Sequence, residues 1–272
     1  METCPIRSTD PIKSLRLADL ERQLLLYKAP LCPLDSEGEE SEVDDRGPVF
    51  SPMAVAESVV APPSLSRSAR FRFKTAAVLI CLFEDSNGDL RVILTMRSSN
   101  LNTSPGEVSL PGGKAEEGDK DEKETAIREA KEEIGLQPDL VSVVAVLEPF
   151  FTKRLLRVVP VVCIFKDKDA FKPVLNPAEV EELFDVPLKM FLKDENRRAE
   201  DREWQGIKYL MHFFDYTKDD TKYSIWGLTA AILIRAASVV YQRPPSFTEQ
   251  HPNYWNSIFQ EIRKLVKPHI KC

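Results

Sequence analysis

The chain has 272 residues, 43% hydrophobic and 29% charged, with a formal net charge of −6, the balance of a soluble globular protein holding one large domain or one ordinary domain with extensions. That acidity gives no support to nucleic-acid binding, which calls for a basic face, yet it leaves room for a local basic pocket around a small anion. The five cysteines, Cys4, Cys32, Cys81, Cys163 and Cys272, form no CxxC pair, so neither a zinc site nor a full disulfide framework is indicated.

Taken in chain order, Ile12, Leu15, Leu17, Leu20, Leu24 and Leu25 recur at spacings near three and four and predict a helix over residues 10–28. The stretch from Met1 to Gln23 mixes Glu2, Asp10, Asp19 and Glu21 with its cations, unlike a transit or secretory signal; cytoplasm is the expected compartment, with mitochondria as the alternative. Asp35 to Asp45 is an acidic run with too little apolar surface to order itself, and the prolines at 48, 52, 62 and 63 extend this linker. From about residue 70 strand and helix patterns mix. Thr75–Glu84 reads as a strand, and Asn87-Gly88 turns it into a second strand, Leu90–Met96. Asp121 to Ile134 reads as a helix stopped by Gly135 and Pro138. Strands are expected at Val141–Leu147 and Val158–Phe165, a short helix from Asn176-Pro177 through Leu183, and a polar hairpin pair around Glu203–Tyr216 and Lys222–Ile225. A helix over 226–241 follows, then a last one over Gln260–Val266. The run 226–241 contains Arg235 and falls short of the ~20 residues a bilayer needs, so no membrane partner is expected. The domains read as a helix and flexible linker (1–69), a catalytic domain (70–245) and a helical extension (246–272). Irregular alternation of strands and helices gives an α+β fold, a mixed sheet sandwiched by helices.

The chemistry lies in the helix Asp121–Ile134. Ile127, Ala130 and Ile134 share one face, and Glu129, Glu132 and Glu133 fall together on roughly the opposite one. Like charges at these spacings weaken an isolated helix by about 0.2–0.5 kcal/mol per pair, and a cation placed there reverses that sign. Oxygen ligands of this kind suit Mg²⁺ or Mn²⁺ and not zinc. Upstream, Leu110-Pro111-Gly112-Gly113-Lys114 supplies two glycines that let backbone approach a metal or phosphate closely.

Together these segments resemble the Nudix hydrolase family, whose box reads G-x5-E-x7-R-E-U-x-E-E-x-G-U with U apolar. Gly113, Arg128, Glu129, Ala130, Glu132, Glu133, Gly135 and Leu136 match it. Asp119 stands at the first Glu of the box, and eight residues instead of seven separate it from Arg128. The resemblance implies the Nudix α/β/α sandwich and a metal-dependent diphosphatase. It implies that Glu129 and Glu133 bind divalent metal, with Glu132 as a further ligand or the water-activating base, and that Arg128 orients the carboxylates. A further acid from outside the box often helps in this family; Glu179, Glu181 and Glu182 are candidates, though a plain surface helix is the blander reading of that segment.

The stretch Ile93 to Gly113 resembles the element L-L-T-x-R-S-x3-R-x3-G-x3-F-P-G-G of the coenzyme A diphosphatases within that family. Leu94, Thr95, Arg97, Ser98, Gly106 and Pro111-Gly112-Gly113 fit it, while Asn102 replaces a cation. This implies a small-molecule nucleotide substrate, coenzyme A or its acyl derivatives, with NADH or ADP-ribose as alternatives. Arg97, Ser98, Gly112 and Gly113 are then the expected substrate contacts. A second basic patch, Lys153, Arg154 and Arg157, follows Phe150-Phe151, whose rings either stack a base or simply face the core. A homodimer is left open, as is a nucleotide-binding regulator that lost turnover.

Overall fold

The computed structural model describes residues 11–30, 32, 34 and 73–266, the side chains of 11–16 and 266 excepted. The acidic run Asp35–Asp45, the prolines at 48, 52, 62 and 63 and the first ten residues lie outside the described residues.

In chain order the elements are α1 (Pro11–Leu25), β1 (Lys74–Glu84), β2 (Leu90–Arg97), β3 (Val108–Ser109), β4 (Gly112–Lys114), α2 (Glu122–Ile134), β5 (Val141–Val146), β6 (Phe150–Phe151), β7 (Leu156–Phe165), β8 (Val180–Pro187), β9 (Arg197–Trp204), β10 (Ile207–Lys218), β11 (Thr221–Trp226), α3 (Gly227–Tyr241) and α4 (Tyr254–Val266). Asp85 closes the β1–β2 hairpin by accepting the N–H groups of Asn87 at 2.9 Å and Asp89 at 3.0 Å, the side-chain turn expected of Asp before Asn-Gly.

Both faces of β1 are apolar, and a strand of that kind needs cover on both sides. Ala77, Leu79 and Cys81 point to one side and pack with Ala126, Ala130 and Ile134 of α2. Ala76, Ile80 and Leu82 point to the other and join Leu20 and Leu24 of α1 and the apolar face of α3. Each fully buried Leu or Ile in these layers stabilises the fold by about 1.5–3 kcal/mol relative to exposure. The sheet runs β3-β2-β1-β7-β5, with β4 added on β1, β6 on β7 and β8 on β2. Only the β1–β7 pairing is parallel among those described, so the sheet is mixed. The result is the expected α+β, α/β/α sandwich with a mixed sheet. Among the described residues no helix is long and apolar enough to cross a membrane.

A second sheet, β11-β10-β9, is an antiparallel meander. β9 and β10, within which the expected strand Glu203–Tyr216 falls, are separated by the turn Gln205-Gly206, where Gln205 adopts a φ of 52° that side chains seldom take. Where β10 pairs with β9 alone, its other edge is taken by Gln250, whose amide bonds both the N–H and the carbonyl of Leu210 at 2.9 and 2.7 Å. α4 lies against this sheet through Tyr254, Ile258 and Ile262 and starts six residues earlier than the last helix expected from sequence.

The short helix expected from Asn176 to Leu183 is not formed. Asn176 starts a single turn, accepting the N–H of Val180 at 2.8 Å, after which the chain pairs with β2 from Arg97 to Arg91. A central pairing partner outweighs a weak local start signal.

Candidate functional site

α2 is fixed at both ends. Asp121 Oδ1 accepts the N–H groups of Lys123 and Glu124, both at 3.0 Å, a cap that stabilises a helix by about 1 kcal/mol. At the other end Gly135 donates to the Lys131 carbonyl at 3.0 Å. A rotation of about 100° per residue places Glu133 about 40° to one side of Glu129 and Glu132 about 60° to the other. The three glutamates expected together on one face therefore differ in burial. Glu133 is 4% exposed, and the side chains of Glu129 and Glu132 are 13% and 55% exposed.

β4 passes directly beside them. The Gly112 N–H donates to Glu133 Oε2 at 3.0 Å. Gly112 has a φ of +149°, and a Cβ there would sit 2.3 Å from the Ala77 carbonyl oxygen; a Cβ on Gly113 would sit 2.5 Å from the Glu129 carboxylate. Only glycine lets this backbone press against both carboxylates.

The third carboxylate of the group comes from Glu179. Its backbone is held by two hydrogen bonds: the Ser98 N–H donates to its carbonyl at 2.9 Å and its own N–H donates to the Asn176 carbonyl at 3.0 Å. The Asn176 side chain donates to Glu179 Oε1 at 3.2 Å. One oxygen each from Glu129, Glu133 and Glu179 lies within 4.8 Å of the others. Glu181 and Glu182 are engaged otherwise, accepting the Ser99 N–H at 3.2 Å and the Tyr223 hydroxyl at 2.5 Å.

The electrostatics of the trio are unbalanced. Burial, joined by the charges of Glu129 and Glu179 and opposed by the Gly112 N–H and Arg97, pushes the Glu133 carboxyl up to about 7. Burial also raises Glu129, against the lowering effect of Arg128. Three carboxylates gathered in a half-dry pocket are what a hard divalent cation neutralises, so the donor set fits the divalent metal that the resemblance implies.

Arg128 spends all five N–H donors on this arrangement. Nε and Nη2 each meet an Asp119 oxygen at 3.0 Å, and Nη2 also donates to the Lys114 carbonyl at 3.0 Å. Nη1 donates to Glu129 at 3.1 Å and to Glu132 at 3.3 Å. The guanidinium thus ties the loop after β4 to two box glutamates, and Asp119, unexplained by its spacing, is the anchor.

The expected substrate contacts divide. Arg97 ends β2 with a single long bond from Nη2 to the Thr103 carbonyl, 3.4 Å, and its buried Nε has no partner. It makes no ion pair with a box carboxylate among the described residues, and its charge is felt by Glu133. Ser98 is 3% exposed and its Oγ accepts the Asn100 N–H at 3.4 Å, so that it braces the turn beside Glu179. Gly112 spends its N–H on Glu133, and Gly113 gives Glu129 its clearance. Phe150 and Phe151 are 1% and 2% exposed, so neither ring faces a base, and Arg157 pairs with Glu122 at 2.8 Å. His212 is buried on the Glu249 carbonyl and His251 pairs with Asp201, away from the trio.

Residues 73–205 match the family described as the NUDIX domain. Over 219 residues the chain is 61% identical to "Nudix hydrolase 15, mitochondrial" of Arabidopsis thaliana, covering 80% of this chain and 76% of the relative. It is 57% identical over 255 residues to "Nudix hydrolase 22, chloroplastic" of the same plant, covering 93% and 82%. A peroxisomal coenzyme A diphosphatase of Mus musculus is 36% identical over 162 residues, covering 59% of this chain and 68% of that one.

Proposed function

The chain belongs to the Nudix hydrolase family, and on that premise we propose that it is a diphosphatase that hydrolyses coenzyme A or its acyl derivatives to 3′,5′-ADP and (acyl-)4′-phosphopantetheine. The observation that carries the reaction type is the trio Glu129, Glu133 and Glu179, with oxygens within 4.8 Å of one another. The choice of coenzyme A is supported by the segment Ile93–Gly113 and by the name of the mouse relative.

Mg²⁺ or Mn²⁺ bound by Glu129, Glu133 and Glu179 would screen the diphosphate's charge and acidify a water. The chain's own residues do the rest. Arg97, with an unpartnered N–H beside the trio, takes a phosphate oxygen. Glu132 stands outside the trio, largely exposed on the same helix, and its carboxylate receives the proton of the attacking water. Arg128 keeps Glu129 and Glu132 in their places. Gly112 lets the backbone run against β1, and Gly113 leaves the Glu129 carboxylate its space. Water adds to one phosphorus and the bridging oxygen leaves with the other.

The test is direct. Purified protein with Mg²⁺ or Mn²⁺ should release 4′-phosphopantetheine from coenzyme A faster than it cleaves NADH or ADP-ribose. A preference for either of the latter moves the substrate and leaves the reaction class. No turnover of any of them rejects the proposal.

The compartment follows the relatives. Cytoplasm, expected from the acid-bearing N-terminus, has no support among them; the plant names are mitochondrial and chloroplastic and the mouse one peroxisomal. Of the two compartments read from sequence, mitochondria is the one they favour, and microscopy of a C-terminal fluorescent fusion decides it.

A further inference from the structure

The loop ahead of α2 carries two departures from the Nudix box, a shorter acid and a longer connection to Arg128. We infer that these departures are matched to each other, and that Asp119 is a positioning residue for the reaction, acting through Arg128 on Glu129 and Glu132. This rests on the Nudix reading of the site and not on which substrate it takes.

Asp119 is saturated with donors. Its Oδ1 accepts Arg128 Nε at 3.0 Å; its Oδ2 accepts Arg128 Nη2 at 3.0 Å, Thr125 Oγ at 2.9 Å and the Glu116 N–H at 3.0 Å. The Arg128 guanidinium beside it, with these further bonds, holds its carboxyl well below the usual carboxylate range. The side chain is 10% exposed. The Asp119 N–H also closes a turn onto the Glu116 carbonyl at 3.2 Å, so the carboxylate returns to the loop that carries it while gripping the helix.

That double duty fixes its length. One further C–C bond, about 1.5 Å, would carry the carboxylate past either the Glu116 N–H or the two Arg128 nitrogens, since each contact already sits near 3 Å. The additional residue lies between Asp119 and the cap Asp121, because α2 from Glu122 to Ile134 is regular. Lys120 is the residue in that gap; its side chain is 83% exposed and its Nζ pairs with Glu124 at 2.8 Å. The longer connection supplies the slack that lets a short acid fold back onto its own loop. Without that anchor the guanidinium keeps its bonds to Glu129, Glu132 and the Lys114 carbonyl, but its plane is no longer fixed, and fork-to-fork geometry is what sets a guanidinium's direction.

Three variants test this: Asp119→Asn, Asp119→Glu, and Asp119→Glu combined with deletion of Lys120, which restores the family spacing. Asp119→Asn should lower kcat about 10–100-fold, the usual cost of losing a partner that orients a ligand, with KM changed less than threefold. Hydrogen exchange at the Arg128 Nε–H, followed by NMR without metal or substrate, should quicken in the same variant. Asp119→Glu should also be impaired, and the deletion should bring it back to within about fivefold of the parent. Turnover is measured on whichever of coenzyme A, NADH or ADP-ribose the parent cleaves fastest, so failure of the coenzyme A reading leaves this test standing. The positioning role is overturned if Asp119→Asn keeps parental kcat and parental exchange. The matching is overturned if Asp119→Glu alone is fully active, or if the deletion fails to improve a variant shown by its unfolding midpoint to be folded.

Discussion

Among the described residues two carboxylates are almost wholly buried, one against each helical layer, and their surroundings are opposite. Glu148, 1% exposed, follows β5 and faces the α1 and α3 layer. It pairs with Arg235 of α3, and Tyr27, just past α1, donates to it at 2.7 Å while accepting from Arg235 at 3.2 Å. Glu133, 4% exposed, sits on α2 with one backbone N–H for company and two other carboxylates close by. Burying a charge is tolerable when a partner is buried with it. Glu148 meets that condition inside the chain. Glu133 does not, and the deficit is chemically specific: surplus negative charge, oxygen ligands only, room for a cation. The first cluster fastens α1 to the domain, and the second is poised to bind something the polypeptide lacks.

The largest effect that breaks the comparison is at Glu133. Glu133→Gln should lower kcat about 10³-fold, some 4 kcal/mol of barrier, while the fold stays intact or gains stability because one crowded charge is gone. Mg²⁺ should raise the unfolding temperature of the parent by linkage and leave that of the variant nearly unmoved. Glu179→Gln, at the more open side of the trio, should cost less, about 10–100-fold. Steady-state kinetics and thermal unfolding with and without Mg²⁺ separate these outcomes; an active Glu133→Gln enzyme would remove the trio from the mechanism.

Arg235 gives the mirror image. Arg235→Met strands Glu148 and should cost about 3–5 kcal/mol of stability, whereas Glu148→Gln combined with Arg235→Met should recover most of it. Turnover per folded molecule should stay within about twofold, because residues away from the chemistry act chiefly through stability. Urea unfolding followed by kinetics on the folded fraction checks both statements. Unchanged stability on losing Arg235 would show that the cluster does not fasten the helical layer.

The contrast also shows what a single sequence can display. α2 was legible because a cap at Asp121, apolar spacing through Ala130 and Ile134 and a stop at Gly135 agree with one another. So was the pairing of Gly112-Gly113 with the glutamates, carried by the family resemblance. Glu179 was visible only as one of three neighbouring acids. What singles it out is the antiparallel pairing of β8 with β2 and the Ser98 N–H that holds its carbonyl, both long-range contacts with no local mark. The burial of Ser98 was hidden for the same reason: its motif position is clear in sequence, and its burial is not. The Glu148–Arg235 pair escaped entirely, because Arg235 lies in an apolar run where it counted only against a membrane span, and nothing local announces the tyrosine and glutamate that come to meet it.

The smallest effect sharpens the comparison from within the Glu148 cluster. Glu249 lies near enough to Arg235 and Glu148 to feel both, and its Oε1 is buried without a hydrogen-bond partner. Burial, aided by Glu148 and opposed by Arg235, pushes its carboxyl up to about 7. One guanidinium already committed to Glu148 and Tyr27 does not compensate a second carboxylate as well. For an acid raised in the folded state, its contribution to stability is fully present below the unfolded value, near 4.5, and is lost as pH rises through the folded one. The unfolding temperature should therefore carry a component that declines between about pH 5 and pH 7.5, in the sense opposite to ordinary surface carboxylates. Glu249→Gln keeps the shape and removes the titration, so its unfolding temperature should hold up better than the parent's across that window, by a few degrees at the alkaline end. Parallel pH profiles for parent and variant, with Arg235→Met as a third curve displaced downward throughout, would show that Glu249 is the carboxylate this cluster leaves uncompensated.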